Sequence, residues 1–248
     1  MRRFFVNPEN IMGPTALLTG SEARHIHAVL RLAPGTLITL FDGSGSYFEA
    51  LLTKVSPTRV EAKIVSITPH IETTEDVSPA LHLGMGLLKG TKMDFIIQKI
   101  TELEIKSLHP FQSQYCAAQD PAANRQSRWQ KIALEACKQC NRPKPPVLHK
   151  ITDFKNLIFL SGQDKHELKL IFWEEAGQKS LRETLGPLGK IKSAMILIGP
   201  EGGFSAGEVT AAIAAGYQPV TLGRRILRAE TAVITAAAIL QHELGNLS

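Results

Sequence analysis

Residues 196–205 read Ile-Leu-Ile-Gly-Pro-Glu-Gly-Gly-Phe-Ser: an apolar strand runs into glycines, and the glycines run into the start of a helix. A phosphate loop needs the pattern G-x-x-x-x-G-K-[ST], and a dinucleotide fold needs G-x-G-x-x-G early in a βαβ unit. Neither fits. What remains is a tight strand-to-helix turn with free backbone amides and carbonyls and one carboxylate, Glu201, which repels phosphate and favours a cationic or hydroxyl-rich ligand. The plain alternative is a glycine turn that only reverses the chain. Residues 221–240, TLGRRILRAETAVITAAAIL, repeat the arrangement. A strand end and Gly223 precede Arg224, Arg225 and Arg228, and Glu230 and Thr231 open an alanine-rich helix. Packing alone explains three arginines at the mouth of a sheet poorly; a solvated charged cluster is the competing reading.

On both sides of the glycine turn, from residue 81 onward, strands and helices alternate. Residues 81–88, 105–111, 168–173, 194–198 and 218–222 read as strands, of which 168–173 and 194–198 are of the fully buried, continuously apolar type. Residues 92–103 carry Met93, Ile96, Ile97, Ile100 and Leu103 on one helical face. Helices are also expected over 128–140, from the Ser205–Glu208 cap to 215, and over 230–244. This alternation predicts an α/β fold with a mostly parallel sheet.

The first 70 residues differ. Residues 36–41, 47–55 and 59–67 read as strands joined by tight turns, a small antiparallel barrel or meander. Thr19-Gly-Ser-Glu22 has the spacing of a capping box, and Pro34-Gly35 stops the segment that it opens. Within it, Ile26, Val29 and Leu30 face a core, while Arg24, His27 and Arg31 share the opposite face, either a solvated basic face or a phosphate-contacting ridge. Residues 66–80, SITPHIETTEDVSPA, read as a linker and domain boundary.

Composition sets the bounds. The chain has 248 residues, room for one large domain or two modest ones, and 44% hydrophobic with 21% charged residues excludes disordered and fibrous classes. The net charge of +5 permits a polyanionic partner without proving one. No apolar run approaches a membrane span, and the N-terminal apolar stretch is too short for a signal peptide, so a cytoplasmic protein with no membrane partner is expected. Cys116, Cys137 and Cys140 are too few for a disulfide framework. Cys137-Lys-Gln-Cys140 lacks the second pair that zinc requires, and it falls at a helix end whose dipole opposes a thiolate; no metal is expected.

The segments RRFFV, RHIHAVLRL, DGSGSYFEA, LLKGTKMDFIIQKITEL, RWQKIALEACKQCNR, ILIGPEGGFSAGEV and LGRRILRAETAV occur in one order along nearly the whole chain. In this the sequence resembles the bacterial ribosomal RNA small-subunit methyltransferase E family, in the SPOUT class of S-adenosyl-L-methionine (SAM) enzymes. The resemblance implies a PUA-like β-barrel RNA-binding domain over 1–70, a linker over 71–80, and a SPOUT methyltransferase domain over 81–248 whose parallel sheet is tied in a trefoil knot. It implies methylation of N3 of a uridine in small-subunit (16S) ribosomal RNA, with the ribosomal RNA or small ribosomal subunit as partner, and a homodimer. SAM is then expected on Leu197, Ile198, Gly199, Pro200, Glu201, Gly202, Gly203, Leu222, Gly223, Ile226 and Leu227. For catalysis, Arg228 is expected to stabilise charge on the uracil oxygens, and Glu230 or Glu201 to accept the proton. Arg2, Arg24, Arg31, Lys89 and Lys92 are expected on RNA phosphates.

The sequence departs from the family pattern at three places. The family usually reads T-E-L-G where Glu104 here follows Leu103; its S-E-R triplet is here Ser113-Gln114-Tyr115; and Thr36 replaces a common acidic residue. The altered triplet supports a rival reading, an RNA-binding protein without catalysis, against which the intact cofactor loops argue. A SPOUT enzyme acting elsewhere on RNA is a weaker alternative, and a nucleotide hydrolase is the weakest, for want of a phosphate loop.

Overall fold

The computed structural model describes residues 2–68, 79–117, 125–175, 180–186 and 191–247. Most of the linker expected at 71–80, residues 71–78, lies outside them. The chain divides into two compact units, Met1–Glu72 with Cys137–Pro145, and Thr73–Ala136 with Pro146–Ser248.

The first unit is a six-stranded sheet of β1 (Arg3–Phe5), β2 (Ile11–Met12), β3 (Thr15–Thr19), β4 (Leu37–Phe41), β5 (Tyr47–Val55) and β6 (Arg59–Thr68), in the order β1-β4-β5-β6-β3-β2. Only β1 and β4 pair in parallel. The three strands expected from sequence are its middle. β6 runs to Thr68, so the linker expected from residue 66 begins later than the sequence suggested. Asp42 shapes the β4–β5 turn by accepting from the Ser44 amide (2.9 Å) and hydroxyl (2.6 Å). Register shifts in the β5–β6 pair at Glu49/Ala50 and Leu52/Lys54 add curl, and Phe4, Leu18, Ile26, Ile38 and Leu40 fill the concave side.

The helical insertion departs from expectation. α1 (Gly20–Arg24) continues as a π-helical turn over His25–Val29. Thr19 makes no side-chain cap, and Glu22, the expected partner in the box, is paired with Lys138. The wider π turn rotates the following residues, so Ile26 is buried and Leu30 packs on the core while Val29 is 68% exposed. Arg31 lies past the helix end at φ 48°, so the face expected through Arg24, His27 and Arg31 does not reach it, although all three are exposed. Within this unit the Asn141 carbonyl accepts from Arg3 Nη1 (3.1 Å) and Tyr47 Oη (2.8 Å). Burial pushes the Cys137 thiol up to about 12, the reverse of a reactive thiolate.

The second unit is the α/β sheet. In chain order it comprises β7 (Ala80–Gly86), α2 (Lys92–Glu102), β8 (Ser107–Gln112), α3 (Arg125–Cys140), β9 (Val147–Leu148), β10 (Thr152–Asp153), α4 (Phe154–Gln163) and β11 (Leu168–Phe172). There follow α5 (Leu181–Leu185), β12 (Ser193–Ile198), α6 (Ala206–Ala214), β13 (Gln218–Val220) and α7 (Ala229–Glu243). The last turn of α3 is grouped with the first unit. The strand order is β10-β8-β7-β12-β11-β13, with β9 beside β8, and every pair is parallel.

Strand alternation sorts the side chains to two faces. Leu81, Leu83, Ile196 and Leu170 pack with α2 and α7, whereas Met195, Leu197 and Ile171 pack with α4 and α6. β7 lies inside the sheet, with β8 on one side and β12 on the other, so the chain changes direction of travel between β7 and β12. In open α/β sheets, the crevice beyond the strands' carboxyl ends at such a switch point is where ligands bind.

The amino-terminal halves of β7 and β8 carry a polar row. The Ser107 hydroxyl lies 2.7 Å from both His82 Nδ1 and His109 Nε2. The His166 ring lies tilted against His82 at 4.8 Å and meets the Ser193 hydroxyl at 2.7 Å, and His149 stacks on His109 at 4.0 Å. Burial holds His109 down at about 3 and His82 at about 4, each helped by neighbouring histidines.

Candidate active site

Loops leaving β11, β12 and β13, with the starts of α2 and α7, enclose a cavity of about 500 Å³, within the range of small-molecule sites. One wall is the turn after β12. Gly199 and Pro200 are buried, and the Gly203 amide donates to the Pro200 carbonyl at 2.9 Å, closing the turn. The turn passes so close to the end of β7 that a Cβ on Gly86 would stand 2.5 Å from Pro200 N. Ser205 and Glu208 then form the expected capping box at the start of α6.

The segment that departs from the family pattern braces this wall. The Gln114 amide donates to Glu208 Oε1 at 2.9 Å, so one carboxylate serves both the helix cap and the chain leaving β8. Tyr115 lies against the turn: a Cβ on Gly202 would come within 2.7 Å of its Cβ.

The other wall is the segment after β13. Leu222, Gly223, Arg224, Arg225, Ile226 and Leu227 line the cavity, with Ile226 85% exposed. Arg228 is the N-cap residue of α7, and its carbonyl accepts from the Ala232 amide at 2.8 Å. Glu230 follows in the first helical turn. Its Oε2 is shielded from solvent yet accepts no hydrogen bond from the described residues.

The two walls meet through Lys92, at the start of α2. Its ammonium is 3.0 Å from Glu201 Oε1 and 3.8 Å from Glu230 Oε2. The Lys89 amide adds a 3.3 Å bond to the same Glu201 oxygen. Burial alone would raise the Glu201 carboxyl. The hydrogen bonds from Lys92 and the backbone, with the charge of Lys92, outweigh it and hold the group below the usual carboxylate range.

Of the residues expected on a cofactor, those in 198–203 and Leu222, Gly223, Ile226 and Leu227 line one cavity, together with Arg228 and Glu230. Leu197 does not: alternation along β12 turns it to the opposite face, beside Leu157 and Met195. Lys92, expected on an RNA phosphate, instead lines the cavity with its charge met by Glu201. Arg2, Arg24 and Arg31 are exposed on the first unit and Lys89 on the second. Sequence reasoning missed Trp173 and Glu174, which also line the cavity. Their position just after an apolar strand was the available signal, since ligands gather at the carboxyl ends of such strands.

Residues 76–241 match the family model described as RNA methyltransferase domain, and residues 18–65 match the RNA methyltransferase PUA domain. The ribosomal RNA small subunit methyltransferase E of Buchnera aphidicola (subsp. Schizaphis graminum) is 33% identical over 93% of this chain and 92% of its own length. The crystal structure of ribosomal RNA small subunit methyltransferase E from Neisseria gonorrhoeae bound to S-adenosyl methionine superposes with a TM-score of 0.81 at 35% identity, covering 98% of this chain and 97% of that one. A Legionella pneumophila methyltransferase in complex with SAM gives 0.82 at 30% identity, covering 97% and 96%. A parallel sheet with a glycine-turn cavity at its carboxyl edge, a curled companion sheet and full-length similarity of this degree agree: the chain belongs to the ribosomal RNA small subunit methyltransferase E family.

Proposed function

We propose that the cavity between residues 198–203 and 222–227 holds SAM, and that the chain methylates N3 of a uridine in small-subunit ribosomal RNA. The observation that carries this reading is the cavity's make-up: backbone turns for two walls, with Glu174, Glu201 and Glu230 on the lining and Lys92 and the exposed Arg224, Arg225 and Arg228 beside them. The carboxylates of the glycine turn and of the first turn of α7 suit a sulfonium cation. A volume of about 500 Å³ suits a cofactor that combines an adenosine with an amino acid.

The bound group supplies an activated, electrophilic methyl. The chain's own residues must then hold the uracil ring, take the proton that N3 loses, and stabilise negative charge on the ring oxygens. Arg228, exposed at the cavity rim, is the donor to those oxygens. Glu230, whose Oε2 accepts no hydrogen bond from the described residues, is favoured over Glu201 as acceptor, because Glu201 already takes bonds from Lys92 and Lys89. Arg228→Ala should slow single-turnover methylation of unmodified small subunits by a factor of roughly a hundred, as lost transition-state donors do. Glu230→Gln should remove the rate's rise with pH. Wild-type rates in the first variant, or an unchanged profile in the second, would reject the respective role.

The remaining organisation follows the same reading. The first unit serves as a PUA-like RNA-binding domain over 1–70, joined through 71–80 to the methyltransferase domain of 81–248. Arg2, Arg24, Arg31 and Lys89 contact phosphates. A trefoil knot among the loops at the carboxyl ends of the sheet belongs to the same reading. The alanine-rich α7 suits close packing in a homodimer, and the cytoplasm is where its ribosomal substrate would be met. Identification of 3-methyluridine by mass spectrometry, after incubation with SAM and unmodified small subunits, tests the whole reading; SAM binding without transfer would redirect it to another RNA.

A further inference from the structure

We propose that Lys92 is a positioning residue that acts as the pocket's internal counter-ion, and that it sets the preference between a cationic and a neutral occupant. The inference rests on the reading of the cavity as the SAM site. Lys92 comes from the first turn of α2, outside both glycine loops, yet its ammonium reaches a carboxylate from each wall: Glu201 at 3.0 Å and Glu230 at 3.8 Å.

The two contacts differ in kind. The Glu201 contact is a charge-assisted hydrogen bond that fixes the carboxylate in the glycine turn. At 3.8 Å the Glu230 contact is an ion pair without a hydrogen bond, and its Oε2 accepts none from the other described residues. Lys92 thus anchors one carboxylate and leaves the other an open lone pair beside the cavity.

The charges around it make this placement consequential. Arg224, Arg225 and Arg228 line the same cavity from the exposed segment before α7, and Glu174 lines it from the end of β11. Side-chain exposures of 38% for Lys92, 30% for Glu201 and 20% for Glu230 leave these three only partly open to solvent, where screening is weaker than at the free surface. A sulfonium bound against these carboxylates shares them with Lys92. After methyl transfer the sulfur is neutral and that competition ends. Lys92 therefore weakens the hold on the charged cofactor relative to the spent one, while keeping the walls together when no cation is bound.

The test is calorimetric binding of SAM and of S-adenosyl-L-homocysteine, its neutral-sulfur counterpart, to the wild type, Lys92→Gln and Lys92→Arg. Removing the ammonium should shift the affinity ratio toward SAM by about fivefold to tenfold, the effect of one unit charge at partly screened range. Lys92→Arg should keep the wild-type ratio, which a role in side-chain bulk alone would not separate from Lys92→Gln. Equal loss of both affinities in Lys92→Gln, with the ratio unmoved, would reduce Lys92 to a brace and overturn the proposal. Failure of the wild type to bind either ligand would remove the cofactor reading itself, and this proposal with it.

Discussion

Acid should unfold this protein through its histidine row, and the loss can be sized. His109 titrates near 6.5 when unfolded and at about 3 when folded; His82 falls to about 4. Both are depressed, so between those values the unfolded chain binds protons that the native state refuses. The stabilisation is complete above about pH 6.5 and is lost as pH falls below it. At pH 5 the deficit for His109 is about 1.5 pH units, or about 2 kcal/mol. His82 is more open to water, and screening reduces its share to roughly 1 kcal/mol. The geometry gives the reason: the Ser107 hydroxyl has one hydrogen and lies 2.7 Å from a nitrogen of each ring. It can donate that hydrogen to a neutral ring, a bond that protonation of the same ring nitrogen removes. Around these two rings His149, His166 and Lys106 disfavour a further positive charge, and Asp164 favours it. Urea titrations followed by circular dichroism at pH 7.5 and 5.0 should show wild type losing about 3 kcal/mol more than the His82→Gln/His109→Gln double variant, by the sum of those two shares. Equal losses in the two proteins would refute the reasoning.

Other perturbations have equally definite outcomes. Gly86→Ala places a Cβ 2.5 Å from Pro200 N, so the glycine turn must move; SAM affinity measured by calorimetry should fall more than about tenfold, with roughly 1–3 kcal/mol of stability lost. Glu104 stands at φ 56°, a left-handed position just past α2 where the family usually has glycine. Glu104→Gly should therefore raise the melting temperature by about 2 °C, for a gain of roughly 0.5–1 kcal/mol. A lower melting temperature would show that the side chain contributes more than its backbone strain costs.

The α/β sheet was legible because its strands are continuous apolar runs and its helices carry apolar faces of four or five residues. Boundaries expected for residues 47–55, 92–103 and 194–198 came within about one residue of those observed, inside the usual uncertainty of helix and strand ends. What escaped was short or polar. β1, β2, β9 and β10 have two or three residues each, too few for alternation to register. α4 was overlooked although Asp153 caps it by accepting from the Asn156 amide at 2.8 Å, because its run reads as well as a loop between strands. The π turn over His25–Val29 is a register change that no 3.6-residue pattern can signal. In the cavity, the glycine and arginine segments announced themselves by composition. Lys92 and Glu174 did not, since only strand ends brought together in space give one lysine or glutamate its meaning.

The position of β7 also governs how the molecule can be made. Ala80 pairs with Ser193, roughly a hundred residues further along, and such non-local pairing slows folding because the intervening chain must first be closed into a loop. On a growing chain β8 can occupy one edge of β7 soon after synthesis. The other edge has no partner until β12 has been made, and an apolar strand edge in that interval is a template for pairing with a second chain. The glycine turn and the arginine segment are synthesised later still, so the cavity is the last feature to assemble. A product ending before Ser193 would therefore be a nascent-chain aggregation hazard rather than a weakened enzyme.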